Sequence, residues 1–209
     1  MIKKEWFYNK SEGYLGDNEQ VKVLFIMCEP SSGGEEVKEG KFWFFDVINQ
    51  NQRIKWKKRE ARYFDVLGRI ACLLLSEDDK FEALKQCAYV NLYPKKGEGH
   101  KSACYYCQLC HFIEGKDEYH RWDIIDNLPK DSIIVTMGDI AKAIEKVKRD
   151  SISDSSDEVY LSNLDKHFQS FTFMNHSGEM IRVYSIPHPN PKNKKRDGFD
   201  ECDIRLSKR

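Results

Sequence analysis

Three side chains of catalytic type follow or close segments that are typical of buried strands. Glu29 comes directly after the nearly continuous apolar run 21–28, Asn91 lies near the end of residues 87–93, and His188 follows residues 180–186. A carboxylate can activate a water molecule, an imidazole can donate a hydrogen bond, and an amide both donates and accepts. Each residue alone is ordinary, because a Glu after a strand is usually a solvated loop residue and a His before Pro is usually structural. Since the carboxyl ends of parallel strands share one edge of a sheet, their joint placement indicates one site.

A parallel sheet must position these side chains, and the rest of the chain supplies its elements. Strand patterns occupy residues 21–28, 87–93, 131–137, 171–174 and 180–186, the last two joined by a hairpin signal at residues 175–178 (NHSG). Helical spacing of apolar residues marks residues 42–48, 63–75 and 140–148, and residues 102–127 are helical in parts. The alternation predicts an α/β fold, a three-layer α/β/α sandwich with a mostly parallel central sheet of about four strands. We expect a single domain over residues 1–209.

The composition argues against several classes of protein. The 209 residues carry 34 Lys and Arg against 34 Asp and Glu, which disfavours a polycation that holds nucleic acid by bulk charge but leaves room for a basic patch. No apolar run approaches the roughly 18–20 residues of a membrane span, and the charged first ten residues do not resemble a signal peptide. Seven cysteines, an odd number, fit a reducing compartment better than a disulfide framework. We therefore expect a cytoplasmic protein without a membrane partner.

Four short motifs occur in order at the ends of the predicted strands. They are residues 27–31 (MCEPS), 90–92 (VNL), 135–141 (VTMGDIA) and 188–191 (HPNP). Together they resemble the landmarks of the uracil-DNA glycosylase superfamily: a water-activating loop, a base-reading Asn, a small-residue turn and a His-Pro loop. The sequence departs from that pattern at Met27, where Gly is usual, at Glu29, where Asp, Asn or Ala is usual, and at Asn190, where Ser is usual. Lys192 lies near the place of the wedge Leu.

The resemblance implies a monofunctional DNA glycosylase, which flips a pyrimidine out of DNA and hydrolyses its N-glycosidic bond. By this resemblance Glu29 stabilises the cationic sugar and activates the water, and His188 donates a hydrogen bond to the base O2. Asn91 reads the edge of uracil or, with its amide reversed, of cytosine; the alternative is an Asn that satisfies backbone groups at a strand end. Phe42 stacks on the flipped base or is a core residue of an amphipathic helix. No Schiff-base lysine and no cofactor are implied.

The loop after Glu29 bears on the size of the base. Uracil-specific members of the superfamily place a bulky Tyr after the Pro, whereas Ser31 and three further small residues stand here. This leaves the C5 side of the base open. We therefore expect uracil or, in preference, a C5-modified cytosine, hydroxymethylated or glucosylated, as in anti-phage defence. The alternative is a catalytically silent DNA- or nucleotide-binding protein of the same fold, which the unusual Glu29 and the missing wedge Leu favour.

Base flipping depends on phosphate contacts, and two basic segments could supply them. One follows the His188 loop and consists of Lys192, Lys194, Lys195 and Arg196. The other is residues 53–62, for which a solvated helix face is an equal interpretation. We expect a monomer whose partner is DNA.

A group of cysteines has the spacing of metal ligands. Cys104, Cys107 and Cys110 could hold zinc or an iron–sulfur cluster, with Cys87 or His111 as the fourth ligand. On a helix, however, residues 104, 107 and 111 share one stripe, as ordinary core or interface residues do. Because a second C-x-x-C pair is missing, we expect no metal there, and a metal-binding α/β protein remains a third hypothesis.

Overall fold

The computed structural model describes residues 2–3, 5–8, 13–14, 20–27, 58–92, 110, 120–151, 163–164 and 169–186. The strands are β1 (Gly13–Tyr14), β2 (Val23–Met27), β3 (Ala88–Asn91), β4 (Ile133–Met137), β5 (Asn163–Leu164), β6 (Gln169–Met174) and β7 (Met180–Ile186). The helices are α1 (Glu5–Tyr8), α2 (Lys58–Leu75), α3 (Lys80–Lys85), α4 (Arg121–Asp126) and α5 (Gly138–Ser151).

These strands form one mixed sheet in the order β1-β3-β2-β4-β7-β6-β5. The four strands in its centre, β3, β2, β4 and β7, run parallel to one another. Outside them, β1 pairs antiparallel with β3, and β6 pairs antiparallel with both β7 and β5. All five side chains of β2 are buried, as a strand covered on both faces requires. The predicted α/β class with a mostly parallel centre is confirmed, within a sheet larger than the four strands expected.

The sheet has more strands than predicted partly because two of its strands carry no sequence signal. β1 and β5 have two residues each, too few to show an alternation of apolar and polar side chains. β6 and β7 form the predicted hairpin, in which Asn175 N donates to Glu179 O at 3.0 Å and Gly178 has a φ of +76°. That positive φ is the conformation for which glycine is favoured in a turn.

Two helices extend beyond their predicted limits. α2 begins at Lys58 and not at residue 63, because the added residues KREAR are good helix formers. α5 begins at Gly138, directly after β4, and Asp139 in its first turn suits the positive end of the helix dipole. α4 lies within the predicted partly helical stretch 102–127. The predicted helix at residues 42–48 lies outside the described residues.

Side chains on the two faces of the sheet belong to two separate apolar cores. On one face, Leu24, Ile26, Val90 and Ile134 share a cluster with residues of α1, α4 and α5. On the other face, Val23, Phe25, Tyr89 and Val135 share a cluster with residues of α2 and α3. Helices of the described ranges therefore pack against both faces of the sheet. Among the helices of the described ranges, none combines the length and the apolarity needed to cross a bilayer.

Candidate functional site

The carboxyl ends of the four parallel strands lie in one row. Met27 of β2 is the register partner of Asn91 in β3, and Met137 of β4 is the partner of Ile186 in β7. Two hydrogen bonds fix neighbouring ends together: Leu92 N donates to Met27 O at 2.7 Å, and Thr136 Oγ1 donates to Ile26 O at 2.6 Å. The structure thus places the strand ends that precede Glu29 and His188 in the same row as Asn91.

Most of the predicted site residues lie outside the described part of the chain. They are Glu29, Ser31, Phe42, His188, Lys192, Lys194, Lys195 and Arg196. In the sequence, Glu29 follows the end of β2 by two residues, and His188 follows the end of β7 by two residues. Of the second basic segment, only the backbone from Lys58 onward is described, and it belongs to α2. The roles assigned to the site residues outside the described ranges therefore stay predictions.

Asn91, the predicted base-reading residue, is the last residue of β3 and has no exposed surface. The hydroxyl of Tyr89 donates a hydrogen bond to Asn91 Oδ1 at 3.2 Å. The other end of the amide, Nδ2, is buried and has no hydrogen-bond partner among the described residues. A buried donor left unsatisfied costs about 1–3 kcal/mol, so natural proteins contain few of them. Such a donor at a strand end is suited to bind an acceptor atom of a ligand.

The main chain of Asn91 is held by a buried guanidinium that the sequence did not reveal. Arg121, the first residue of α4, is 2% exposed, and its Nε donates to Asn91 O at 2.6 Å. The two residues are 30 positions apart, so no local pattern connects them. The signal available was an Arg followed by the apolar residues of a short helix, which is equally typical of a snorkelling surface residue. The contact brings positive charge to the carboxyl edge of β3.

His120, the residue before Arg121, is the N-cap residue of α4. His120 has a φ of +55°, a strained conformation for a non-glycine residue. Its ring stacks on Trp6 with centroids 5.7 Å apart, and its Nδ1 lies 2.6 Å from Asp123 Oδ2. These contacts hold the first turn of α4, and with it Arg121, against the end of β3.

Cys87 and Cys110, the two described members of the proposed ligand group, lie in different cores. Cys110 packs partly buried against the core that includes α4 and α5. Cys87 belongs to the core on the opposite face, and its thiol donates to Ala83 O at 3.2 Å. Burial raises the pKa of the Cys87 thiol far above its usual range, which disfavours the thiolate that a metal needs. Cys104, Cys107 and His111 lie outside the described residues, and within the described ranges no three His, Cys, Asp or Glu side chains could hold a metal ion.

A second polar cluster lies at the opposite, amino edge of the sheet, and the sequence did not indicate it. Lys148 near the end of α5 and Asp126 at the end of α4 form a buried ion pair, with Nζ and Oδ1 2.9 Å apart. The same ammonium lies 4.7 Å from the ring centroid of Trp122 and 4.9 Å from that of Phe173. Asp126 Oδ1 also accepts from the main-chain N of His176 in the hairpin at 3.4 Å. This cluster joins two helices to the hairpin.

The two polar regions thus differ in kind: the amino-edge cluster is internally paired, whereas the carboxyl edge presents a buried amide whose Nδ2 has no partner within the described ranges. The amide is held through its oxygen by Tyr89 and through its main chain by Arg121. Comparisons of this chain with protein-family models, with curated proteins and with solved structures found no match.

Proposed function

We propose that this protein is a monofunctional DNA glycosylase that hydrolyses the N-glycosidic bond of a flipped pyrimidine. The base is uracil or, in preference, a hydroxymethylated or glucosylated cytosine of the kind that anti-phage defence would remove. Asn91 binds the base edge, Glu29 and His188 act on the sugar and the base, and the basic residues after His188 contact DNA. The helices on both faces of the sheet support the three-layer α/β/α sandwich that this proposal includes.

The observation that carries the proposal is the unsatisfied Nδ2 of Asn91 at the carboxyl edge. An asparagine that served only the backbone would use this donor within the protein, and among the described residues it does not. A pyrimidine offers an acceptor and a donor side by side on its Watson–Crick edge, which suits an amide. Binding the base would remove the cost of the buried, unpaired donor.

The reaction separates charge, and the site has the groups to stabilise both parts. The C1′–N1 bond breaks and its electron pair leaves with the base, while the sugar becomes a cation. Glu29 stabilises that cation and accepts a proton from the water whose oxygen attacks C1′. His188 donates a hydrogen bond to O2 of the anionic base, which takes up a proton on release. Arg121 holds the main chain of Asn91 in place through the hydrogen bond from its Nε to Asn91 O.

The experiment is to incubate the protein with matched duplexes that differ in one base and to measure abasic sites. The duplexes carry uracil, a thymine mismatch, 5-hydroxymethylcytosine, its glucosylated form or unmodified cytosine. We expect abasic sites without strand cleavage in the modified-cytosine duplexes, with slower or no release from unmodified cytosine. Release of uracil alone contradicts the preference for a C5 substituent. DNA binding without release of any base would instead favour the catalytically silent member of the same fold.

A further inference from the structure

Tyr89 and Asn91 form a buried pair on one face of β3. They are two residues apart on the strand, so their side chains point to the same side of the sheet. The Tyr89 ring belongs to the apolar core that contains Phe25 and Met27 and is 4% exposed. Its hydroxyl reaches the amide, with Oη and Oδ1 3.2 Å apart. A ring fixed in the core therefore places a polar atom at a defined point beside Asn91.

The main chain of Asn91 is fixed separately. Its carbonyl accepts from Arg121 Nε at 2.6 Å, and the next residue, Leu92, donates through N to Met27 O at 2.7 Å. With the backbone held from both sides, the remaining freedom of Asn91 is the rotation of its amide. The two orientations of an amide have almost the same shape, so packing alone cannot choose between them.

We propose that Tyr89 is the positioning residue that decides which end of the Asn91 amide faces the ligand. A tyrosine hydroxyl can donate or accept; in the structure it donates to Oδ1, and in that arrangement Nδ2 is the end presented to the base. Uracil and cytosine carry their acceptor and donor in opposite order along the Watson–Crick edge, so an amide with a fixed orientation accepts one order and rejects the other. Tyr89 therefore determines the choice between 4-oxo and 4-amino pyrimidines. This inference rests on the proposed function, but the orientation of the amide can be tested without it.

The first measurement uses the unchanged protein labelled with ¹⁵N-asparagine. The Nδ2 resonance of Asn91 is identified by its loss in Asn91→Asp. Because Oδ1 faces Tyr89, we expect weak nuclear Overhauser effects between the Nδ2 protons and the Tyr89 ring protons. In Tyr89→Phe, which removes one oxygen atom, we expect the Nδ2 signals to shift and broaden as the amide turns. Strong Overhauser effects in the unchanged protein, or unaltered signals in Tyr89→Phe, overturn the proposal whether or not any base is excised.

The second measurement compares excision of 5-hydroxymethyluracil and 5-hydroxymethylcytosine, which share the C5 substituent and differ at position 4. We expect the wild-type protein to excise one of the two bases faster than the other. In Tyr89→Phe, we expect the ratio of the two excision rates to be about ten-fold or more closer to one. The matched control is Tyr184→Phe on β7, which removes the same atom from a half-buried tyrosine whose hydroxyl accepts from Arg182 at 3.4 Å. We expect it to leave the ratio unchanged. An unchanged ratio in Tyr89→Phe overturns the proposal, whereas a wild-type protein that excises no base refutes the proposed function and leaves the amide measurement to decide on Tyr89.

Discussion

Two buried asparagines lie at opposite edges of one sheet and use their amides differently. Asn175, in the hairpin at the amino edge, donates through Nδ2 to Leu128 O and accepts through Oδ1 from Glu179 N, both at 2.9 Å. Asn91, at the carboxyl edge, accepts from Tyr89 but has no partner for Nδ2 among the described residues. The same side chain is thus paired at both ends in a structural position. The Nδ2 of Asn91, which has no partner among the described residues, is the feature from which we propose that this position binds a ligand.

Each edge also holds a buried cation, and the two cations have different described contacts. Lys148 pairs with the carboxylate of Asp126 and lies against two aromatic rings, so its charge is neutralised where it is buried. Arg121 donates to a neutral main-chain carbonyl at the end of β3. Charge at the amino edge therefore holds helices to the hairpin, whereas charge at the carboxyl edge supports the residue that we propose binds the base.

The largest effect on stability is expected from breaking the amino-edge ion pair. Lys148→Met leaves the carboxylate of Asp126 buried without its ammonium, and removing one partner of a buried pair costs about 3–5 kcal/mol. Urea denaturation measures this loss. Excision per folded molecule should be unaffected, because the pair lies at the edge opposite Asn91. Adding Asp126→Asn should restore part of the stability, and a loss below about 1 kcal/mol for Lys148→Met would show that the pair is not structural.

The second prediction concerns the proposed base contact. We expect Asn91→Ala to lower single-turnover excision by about 10²–10³-fold, because an oriented hydrogen-bonding group is lost from the transition state. The free energy of unfolding should fall by about 1–3 kcal/mol, because the buried Tyr89 hydroxyl loses Oδ1 as its acceptor, so excision is compared per folded molecule. DNA affinity, measured by fluorescence anisotropy, should be retained. An excision rate within about three-fold of wild type would make Asn91 a structural residue like Asn175.

The smallest of the three effects is expected from Asn175→Ala, which is the matched control for Asn91→Ala. It removes the two hydrogen bonds to Leu128 and Glu179, so the free energy of unfolding should fall by about 1–3 kcal/mol. Excision at a temperature where the protein is folded should remain at the wild-type rate. If Asn175→Ala instead lowers excision as much as Asn91→Ala does, the two edges are coupled and the contrast between them fails.

The sequence predicted the strands that carry apolar runs or turn residues. It missed the strands that form only through pairing with distant parts of the chain. β2, β3, β4 and the β6–β7 hairpin carry apolar runs or turn residues, and each is found where expected. β1 and β5 exist through pairing with longer strands, so two residues alone could not indicate them.

The candidate site was predictable to the same limited extent. Asn91 was predicted as a site residue because it is a polar residue at a strand end; the structure places it at the end of β3, and its role stays a prediction. Tyr89 looks like any aromatic residue of a strand, and Arg121 meets Asn91 across 30 positions of sequence, so neither partner could be recognised from local pattern. The Lys148–Asp126 pair joins two helices and was missed for the same reason.

β4 passes into α5 with no connecting residue, since Met137 ends the strand and Gly138 begins the helix. One residue inserted there would turn the helix by about 100°. Ile140 and Ile144 would then leave the sheet, and Lys148 would move away from Asp126. We therefore expect insertions and deletions to be tolerated poorly at this junction, because the spacing between β4 and α5 fixes which face of the helix packs against the sheet.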